Sequence, residues 1–364
     1  MRHSLPVIAQ THGANLLEIV QRNGHVLPSD RRDAWMSEMT RPVRSAERVP
    51  WPERIILELA NTCNLDCPMC RVGEFGVASE RFMSRDLFEQ VADELFPHAR
   101  EVRLNGLGEA TLVPWFHDCL ERVSRAGMHG EIITNLTCDD ETISRLIAAR
   151  FVVLVSWDAA TPSLFEKLRR PARFESQLAK LRMLFAVADS AKLRDHLHLL
   201  FTLQRGNIDE LFGMVQLAAD VGIPNVLVNV VKLQDESWIA AVAARIESAL
   251  DDARAEAGRT GVHLTLPDHI GPLRLHGSGV LPSSAAGCDR PLREVVIRWN
   301  GEVTVCNMFN PYTYGHLGRH GFERCWNGSI AQAFRRLVNT RKKHPYCEGC
   351  HYVHGVYEQT RTIS

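Results

Sequence analysis

From Glu53 to about Leu233 the chain alternates short apolar, β-branched runs with longer stretches whose apolar residues recur at helical spacing. The first run, Glu53-Arg-Ile-Ile-Leu-Glu-Leu-Ala60, has strand length, and further strand-like runs occupy 101–107, 130–136, 152–157, 196–203 and 225–231. Between them, helical patterns cover 84–95, 116–126, 140–149, 163–168 with 173–186, and 208–221. Six βα units in succession predict an α/β fold built on a parallel sheet. Beyond it, 237–257 is a charged, Ala-rich helix, 262–266 is strand-like, and 271–287, rich in Gly, Pro and Ser, reads as a connection. A hairpin over 295–305, turning at Asn300-Gly301, opens the C-terminal part. Ahead of the βα region, residues 1–50 form a polar preamble with short helices at 16–20 and 33–39, followed by a Pro-containing linker.

This pattern predicts a helical arm over 1–50, a main domain over 51–235, a linking helix, strand and connection over 236–287, and a small α+β domain with a tail over 288–364. The arm is too short to fold alone and is expected to pack over the main domain.

Composition narrows the class only modestly. Of 364 residues, 45% are hydrophobic and 23% charged, ordinary values for a globular protein. A formal net charge of −1 provides no field for nucleic acid or an acidic membrane, so neither is an expected partner. The first twenty residues lack an apolar signal region, and no run is long enough to span a membrane. The cytoplasm is the expected compartment, and its reducing poise argues against reading the ten cysteines as disulfides.

The chemistry is concentrated in Cys63-Asn-Leu-Asp-Cys67-Pro-Met-Cys70, directly after the first strand. Three thiolates in a C-x3-C-x2-C loop can serve one cluster. Structural zinc prefers four closed ligands, often as C-x2-C pairs, whereas three ligands and an open position suit a reactive iron–sulfur centre. A loop leaving the C-terminal end of a strand is also where α/β proteins place their active sites.

With this loop in this place, the chain resembles the radical S-adenosylmethionine (radical SAM) enzymes, with Met69 where many members carry an aromatic residue. The resemblance implies a partial (β/α)6 barrel, a [4Fe–4S] cluster on Cys63, Cys67 and Cys70, and S-adenosylmethionine chelated at the remaining iron. A low-potential donor such as flavodoxin or ferredoxin would supply the electron that yields a 5′-deoxyadenosyl radical. Asn105-Gly-Leu-Gly-Glu-Ala110 is similar to the family's Gly-Gly-Glu-Pro segment, which implies that Gly106, Gly108 and Glu109 meet the cofactor's ammonium group. Ser156 and Asp158, in Val155-Ser-Trp-Asp158, resemble the family's ribose-contacting Ser-x-Asp. Arg205, after the fifth strand, is placed either to clamp the cofactor carboxylate or to form a surface ion pair.

Farther on, Cys288, Cys306, Cys347 and Cys350 make a second set of four thiols, which spacing alone assigns to zinc or to iron and sulfur. Their C-x12-G-x4-C…C-x2-C pattern resembles the Twitch domain, a shortened relative of SPASM. That resemblance implies one auxiliary [4Fe–4S] cluster held by all four, because no cysteine follows Cys350. Of the other three, Cys119 and Cys325 read as core thiols. Cys138, in Leu136-Thr-Cys-Asp-Asp140 just past the third strand, is either a buried spectator or a hydrogen donor to a substrate radical.

The resemblance further implies oxidation or epimerisation at a carbinol carbon of a small polar molecule, such as a sugar, aminocyclitol or aminoglycoside-type intermediate of antibiotic biosynthesis. Modification of a ribosomally made peptide is the alternative. Asn229, Lys232 and Gln234, near the sixth strand, suit hydroxyl and amine groups.

Overall fold

The computed structural model describes residues 18–21, 27, 29–70, 81–231, 237–267, 269–270, 273–274, 288–306 and 312–347. In chain order the elements begin with α1 (Ser29–Thr40), β1 (Arg54–Leu57), α2 (Arg85–Leu95), β2 (Glu101–Leu104), α3 (Phe116–Arg125), β3 (His129–Thr134) and α4 (Asp140–Ala148). Next come β4 (Val152–Ser156), α5 (Pro162–Leu168), α6 (Phe174–Ser190), β5 (Leu197–Leu203), α7 (Leu211–Val221) and β6 (Asn225–Val230). They are followed by α8 (Ser237–Ala241), α9 (Ala243–Thr260), β7 (His263–Thr265), β8 (His269–Ile270) and β9 (Leu273–Arg274). The last are α10 (Arg290–Arg293), β10 (Glu294–Ile297), β11 (Glu302–Thr304), β12 (Thr313–His316), α11 (Leu317–His320), α12 (Phe322–Asn327) and α13 (Ser329–Leu337).

The chain divides into two compact units. One comprises Met1–Asn61, Arg81–Gly106 and Ala285–Gly355; the other comprises Thr62–Glu80, Leu107–Ser284 and Val356–Ser364. This partition cuts across the domain boundaries read from the sequence, because the first βαβ unit clusters with the C-terminal segment. Within the first unit the strand order is β12-β11-β10-β1-β2. Strand β1 pairs in parallel with β2 on one side and with β10 on the other. Arg54 of β1 reinforces both pairings, its Nε lying 2.7 Å from Glu101 and its Nη1 3.1 Å from Glu294. Arg290 closes on the other side of Glu294 at 2.6 Å. The β10–β11 hairpin turns at Gly301, whose φ of +87° a side chain would strain.

The N-terminal arm packs differently from the expectation. Helix α1 lies in the first unit, with both Trp35 and Met39 at 0% exposure. Trp35 sits among Tyr312, Phe334 and His344, with ring centroids 5.3, 6.0 and 5.7 Å away. Its indole N–H donates to the carbonyl of Lys342 at 2.8 Å, and Arg336 of α13 pairs with Glu38 at 2.5 Å. An i, i+4 pair of large apolar side chains thus gives a short polar helix one face to bury, against C-terminal elements.

In the second unit, β3 to β7 run parallel in sequence order. Burial on both faces is clearest in β4, where the three central residues Val153, Leu154 and Val155 are all buried, whereas β3 and β6 alternate buried with half-buried or exposed residues. Strand β7 extends this parallel run where the pattern predicted only a strand-like linker, and β8 pairs with β9 where the expected connection begins. No helix among the described residues is long and apolar enough to cross a membrane.

Candidate functional site

The cluster loop belongs to the second unit and leads into a turn fixed from two sides. Cys70 N–H donates to the carbonyl of Cys67 at 2.9 Å, closing the C-terminal half of the loop. Cys63 accepts from Leu65 N–H at 3.4 Å and from the Asn135 side-chain amide at 3.5 Å. Cys67 is 9% exposed, while Cys63 and Cys70 are half-buried. The three sulfurs sense one another. Burial pushes the Cys67 thiol up to about 11, with Cys70, Asp158 and Cys63 adding to the rise and Arg169 opposing it. Burial, Glu109 and Cys70 likewise raise Cys63.

Glu109 is anchored beside this loop. Its backbone N–H donates to the carbonyl of Thr62 at 2.8 Å. One carboxylate oxygen accepts from the hydroxyls of Thr111 and Thr134, both at 2.8 Å, and the other accepts from Asn135 N–H at 2.8 Å. Burial still raises its pKa against these donors, as only 3% of the residue is exposed. The carboxylate is therefore preorganised, and any cation binding there would relieve its burial. Gly106 lies against Glu58, whose Cγ would be 2.2 Å from an added Cβ, so backbone approach requires glycine. Gly108 is half-exposed.

The loop from β3 to α4 carries Asn135, Thr137 and Cys138 onto the cluster loop. Asn135 Nδ2 donates to Asn64 at 3.0 Å, and the Asn64 side chain reaches Thr137 at 2.8 Å. Leu136 adopts a left-handed φ of +57°, steadied by its N–H on the Thr134 hydroxyl at 3.0 Å. Lys180 of α6 donates to the carbonyls of Thr137 and Cys138. Cys138 is 9% exposed, and burial together with nearby Glu109 pushes its thiol up to about 12, so it remains S–H at neutral pH.

Ser156 stands half-exposed at the end of β4. Asp158 is placed otherwise than a ribose ligand would be. It has 0% exposure, its Oδ1 accepts from Thr202 N–H at 2.8 Å, and its Oδ2 lies 2.5 Å from Arg169. Arg205 is exposed, and among the described residues it has no ion-pair partner. The sequence reading missed Asn135 and Arg169. Asn135 had a signal, a Thr-Asn pair at a strand's C-terminal end, where loops carry chemistry.

In the first unit, Cys288, Cys306 and Cys347 all act on Tyr314, whose hydroxyl is driven well up by burial and these thiols against Arg335. Cys288 is tied to Asn339 by bonds of 2.7 and 3.2 Å, and Cys347 N–H donates to the His344 carbonyl at 2.8 Å. Cys350 lies outside the described residues, as do Lys232 and Gln234; Asn229 is half-buried on β6. Cys119 and Cys325 are buried at 0% and 1% exposure.

Comparisons with known proteins point to two families. The model of the radical SAM superfamily matches residues 57–190, and that of the SPASM iron–sulfur cluster-binding domain matches residues 288–351. A tungsten-containing aldehyde ferredoxin oxidoreductase cofactor-modifying protein from Pyrococcus furiosus is 22% identical over 335 residues, 81% of this chain and 86% of that one. Streptococcus suis SuiB bound to S-adenosylmethionine superposes with a TM-score of 0.60 at 14% identity, over 90% of this chain and 74% of its own. AdoMet-bound anSMEcpe gives a TM-score of 0.60 at 14% identity, over 84% and 88% of the two chains. A radical SAM domain works with S-adenosylmethionine and a [4Fe–4S] cluster, and a SPASM domain with auxiliary iron–sulfur clusters. The donor set suits these groups: three thiols stand on one short loop, and two N–H donors lie against the Cys63 sulfur.

Proposed function

We propose that this radical SAM enzyme, whose SPASM-type domain follows the radical SAM domain in sequence, removes hydrogen from a carbinol carbon of a small polar substrate. Oxidation or epimerisation of a sugar, aminocyclitol or aminoglycoside-type intermediate follows. Cys63, Cys67 and Cys70 would hold the catalytic cluster, and Cys288, Cys306, Cys347 and Cys350 a single auxiliary one. When bound, S-adenosylmethionine and its cluster supply a carbon radical strong enough to break an unactivated C–H bond.

The chain's own groups then bind and orient. Glu109 offers a fixed carboxylate to the cofactor's ammonium, Gly106 and Gly108 let the backbone approach, and Arg205 offers an unpaired cation to a carboxylate. Ser156 is exposed for a ribose hydroxyl, whereas Asp158 serves that pocket from behind, through Arg169.

The observation that carries the reading is the position of Cys138, a buried thiol on the β3–α4 loop whose Asn135 reaches the Cys63 sulfur. A hydrogen-atom donor must keep its S–H bond, and burial keeps this thiol protonated. In epimerisation its S–H bond breaks as the substrate C–H bond forms on the opposite face. One electron and one proton then restore the thiol. In oxidation a base takes the hydroxyl proton, and Cys288, Cys306, Cys347 and Cys350 would hold the cluster able to accept the second electron.

The test is anaerobic turnover with dithionite, S-adenosylmethionine and a panel of aminocyclitols and sugars, following 5′-deoxyadenosine. A product two mass units lighter identifies oxidation; unchanged mass with deuterium from solvent identifies epimerisation. Cys138→Ala should abolish the second and spare the first. Substrate-stimulated 5′-deoxyadenosine only with peptides would replace this reading by peptide modification.

A further inference from the structure

We propose that Arg169 sets the reduction potential of the cluster held by Cys63, Cys67 and Cys70, acting as a fixed positive charge aimed by Asp158. The inference rests on the assignment of those cysteines as cluster ligands and adds a positioning residue to that site.

Arg169 follows α5 and has a side chain only 11% exposed. Its guanidinium is held 2.5 Å from Asp158 Oδ2. Asp158 is itself immobilised, with Thr202 N–H on its other oxygen at 2.8 Å and the Asn207 side-chain amide on its carbonyl at 2.9 Å. Strand ends, rather than a mobile loop, therefore fix the charge.

The neighbouring residue fastens this segment to the cluster loop. Asp66, between Cys63 and Cys67, donates its N–H to the Arg170 carbonyl at 2.6 Å, and its carboxylate pairs with Arg170 at 3.1 Å. Arg169, next to Arg170 in the chain, is thereby brought to the part of the loop where Cys67 follows Asp66. Its Nε is buried without a hydrogen-bond partner among the described residues. A buried donor left unpaired is costly, and thiolate or sulfide sulfur is the acceptor that this surface lacks.

The ion pair is neutral overall, so its nearer end decides the sign. Both Asp158 carboxylate oxygens are engaged, by Arg169 and by Thr202 N–H, so Arg169 Nε, with no partner among the described residues, is the end of the pair left for sulfur. Reduction adds an electron to an already anionic cluster, and a fixed cation nearby favours that state. Arg169 thus makes the cluster easier to reduce.

The test is an anaerobic, mediator-coupled dithionite titration of the reconstituted full chain, read by electron paramagnetic resonance. The first cluster is recognised by the change that S-adenosylmethionine causes in its signal. In Arg169→Gln the ratio of reduced to oxidised cluster at fixed solution potential should fall about tenfold, a shift of 59 mV for one electron. Arg169→Lys should recover most of that ratio, and Asp158→Asn should shift it in the opposite direction. Iron lost from the Gln variant but kept in the Lys variant would also support the charge. An unchanged ratio in Arg169→Gln, or equal shifts or equal iron loss in Gln and Lys variants, would overturn the proposal. If instead wild type gives no signal responsive to S-adenosylmethionine, or Cys63→Ala leaves that signal intact, the cluster assignment itself fails.

Discussion

Asn135 donates its backbone N–H to Glu109 at 2.8 Å while its side chain reaches the sulfur of Cys63 at 3.5 Å. One residue thus joins the buried Glu109 carboxylate to the loop of Cys63. Asn135→Ala keeps the first bond and removes the second, at a cost of about 1 kcal/mol. The iron bound on the first loop should be lost faster in air than in wild type, with the circular dichroism spectrum unchanged. Equal rates of iron release would show that the contact does not hold the loop.

Trp35 has 0% exposure, and it touches Tyr312, Phe334 and His344. Trp35→Ala should destabilise the first unit by about 3–5 kcal/mol, the range for truncating a buried aromatic residue. Urea unfolding followed by circular dichroism measures this, and a loss under 1 kcal/mol would contradict the packing described.

Burial raises the Glu294 carboxyl, but Arg290, Arg103 and Arg54 together hold it below the ordinary carboxylate range. A depressed folded pKa gives stability that is complete above the unfolded value, about 4.3, and drains away as pH falls through the folded value. Glu294→Gln should therefore cost about 3 kcal/mol at pH 7, the low end for a broken buried pair because Arg54 retains Glu101. The same variant should flatten the acid limb of the stability profile. A parallel profile, merely displaced, would be the contrary result.

Burial, with His263 and His196 nearby, lowers the pKa of His198 on β5 to about 4. The unfolded chain takes up that proton near pH 6.5, so the sign is again a loss of stability on acidification, now between about pH 6.5 and 4. Replacing His198 by Gln should remove this slope while leaving stability near pH 8 little changed. Denaturation midpoints at pH 8, 6 and 4.5 provide the measurement.

The six strands from β1 to β6 were legible because buried parallel strands are written as continuous apolar, β-branched runs, such as Val152-Val-Leu-Val155. The cluster loop was legible because its three cysteines lie within eight residues. What escaped was non-local. Asn135 and Cys63 are separated by 72 positions, and Arg54 meets Glu294 across 240. No periodicity encodes such meetings. Asp158 shows the same limit in reverse: its strand-end position suggested a ligand contact, but Arg169, Thr202 and Asn207 engage it first.

The compact unit that contains β1 and β10 joins residues that precede and follow the long stretch 107–284, which belongs to the other unit. During synthesis, β1 must therefore wait for a partner strand that the ribosome has yet to make. The intervening unit can condense first, so nascent chains should reach protease resistance in two stages, with the pieces around Trp35 the last to become protected.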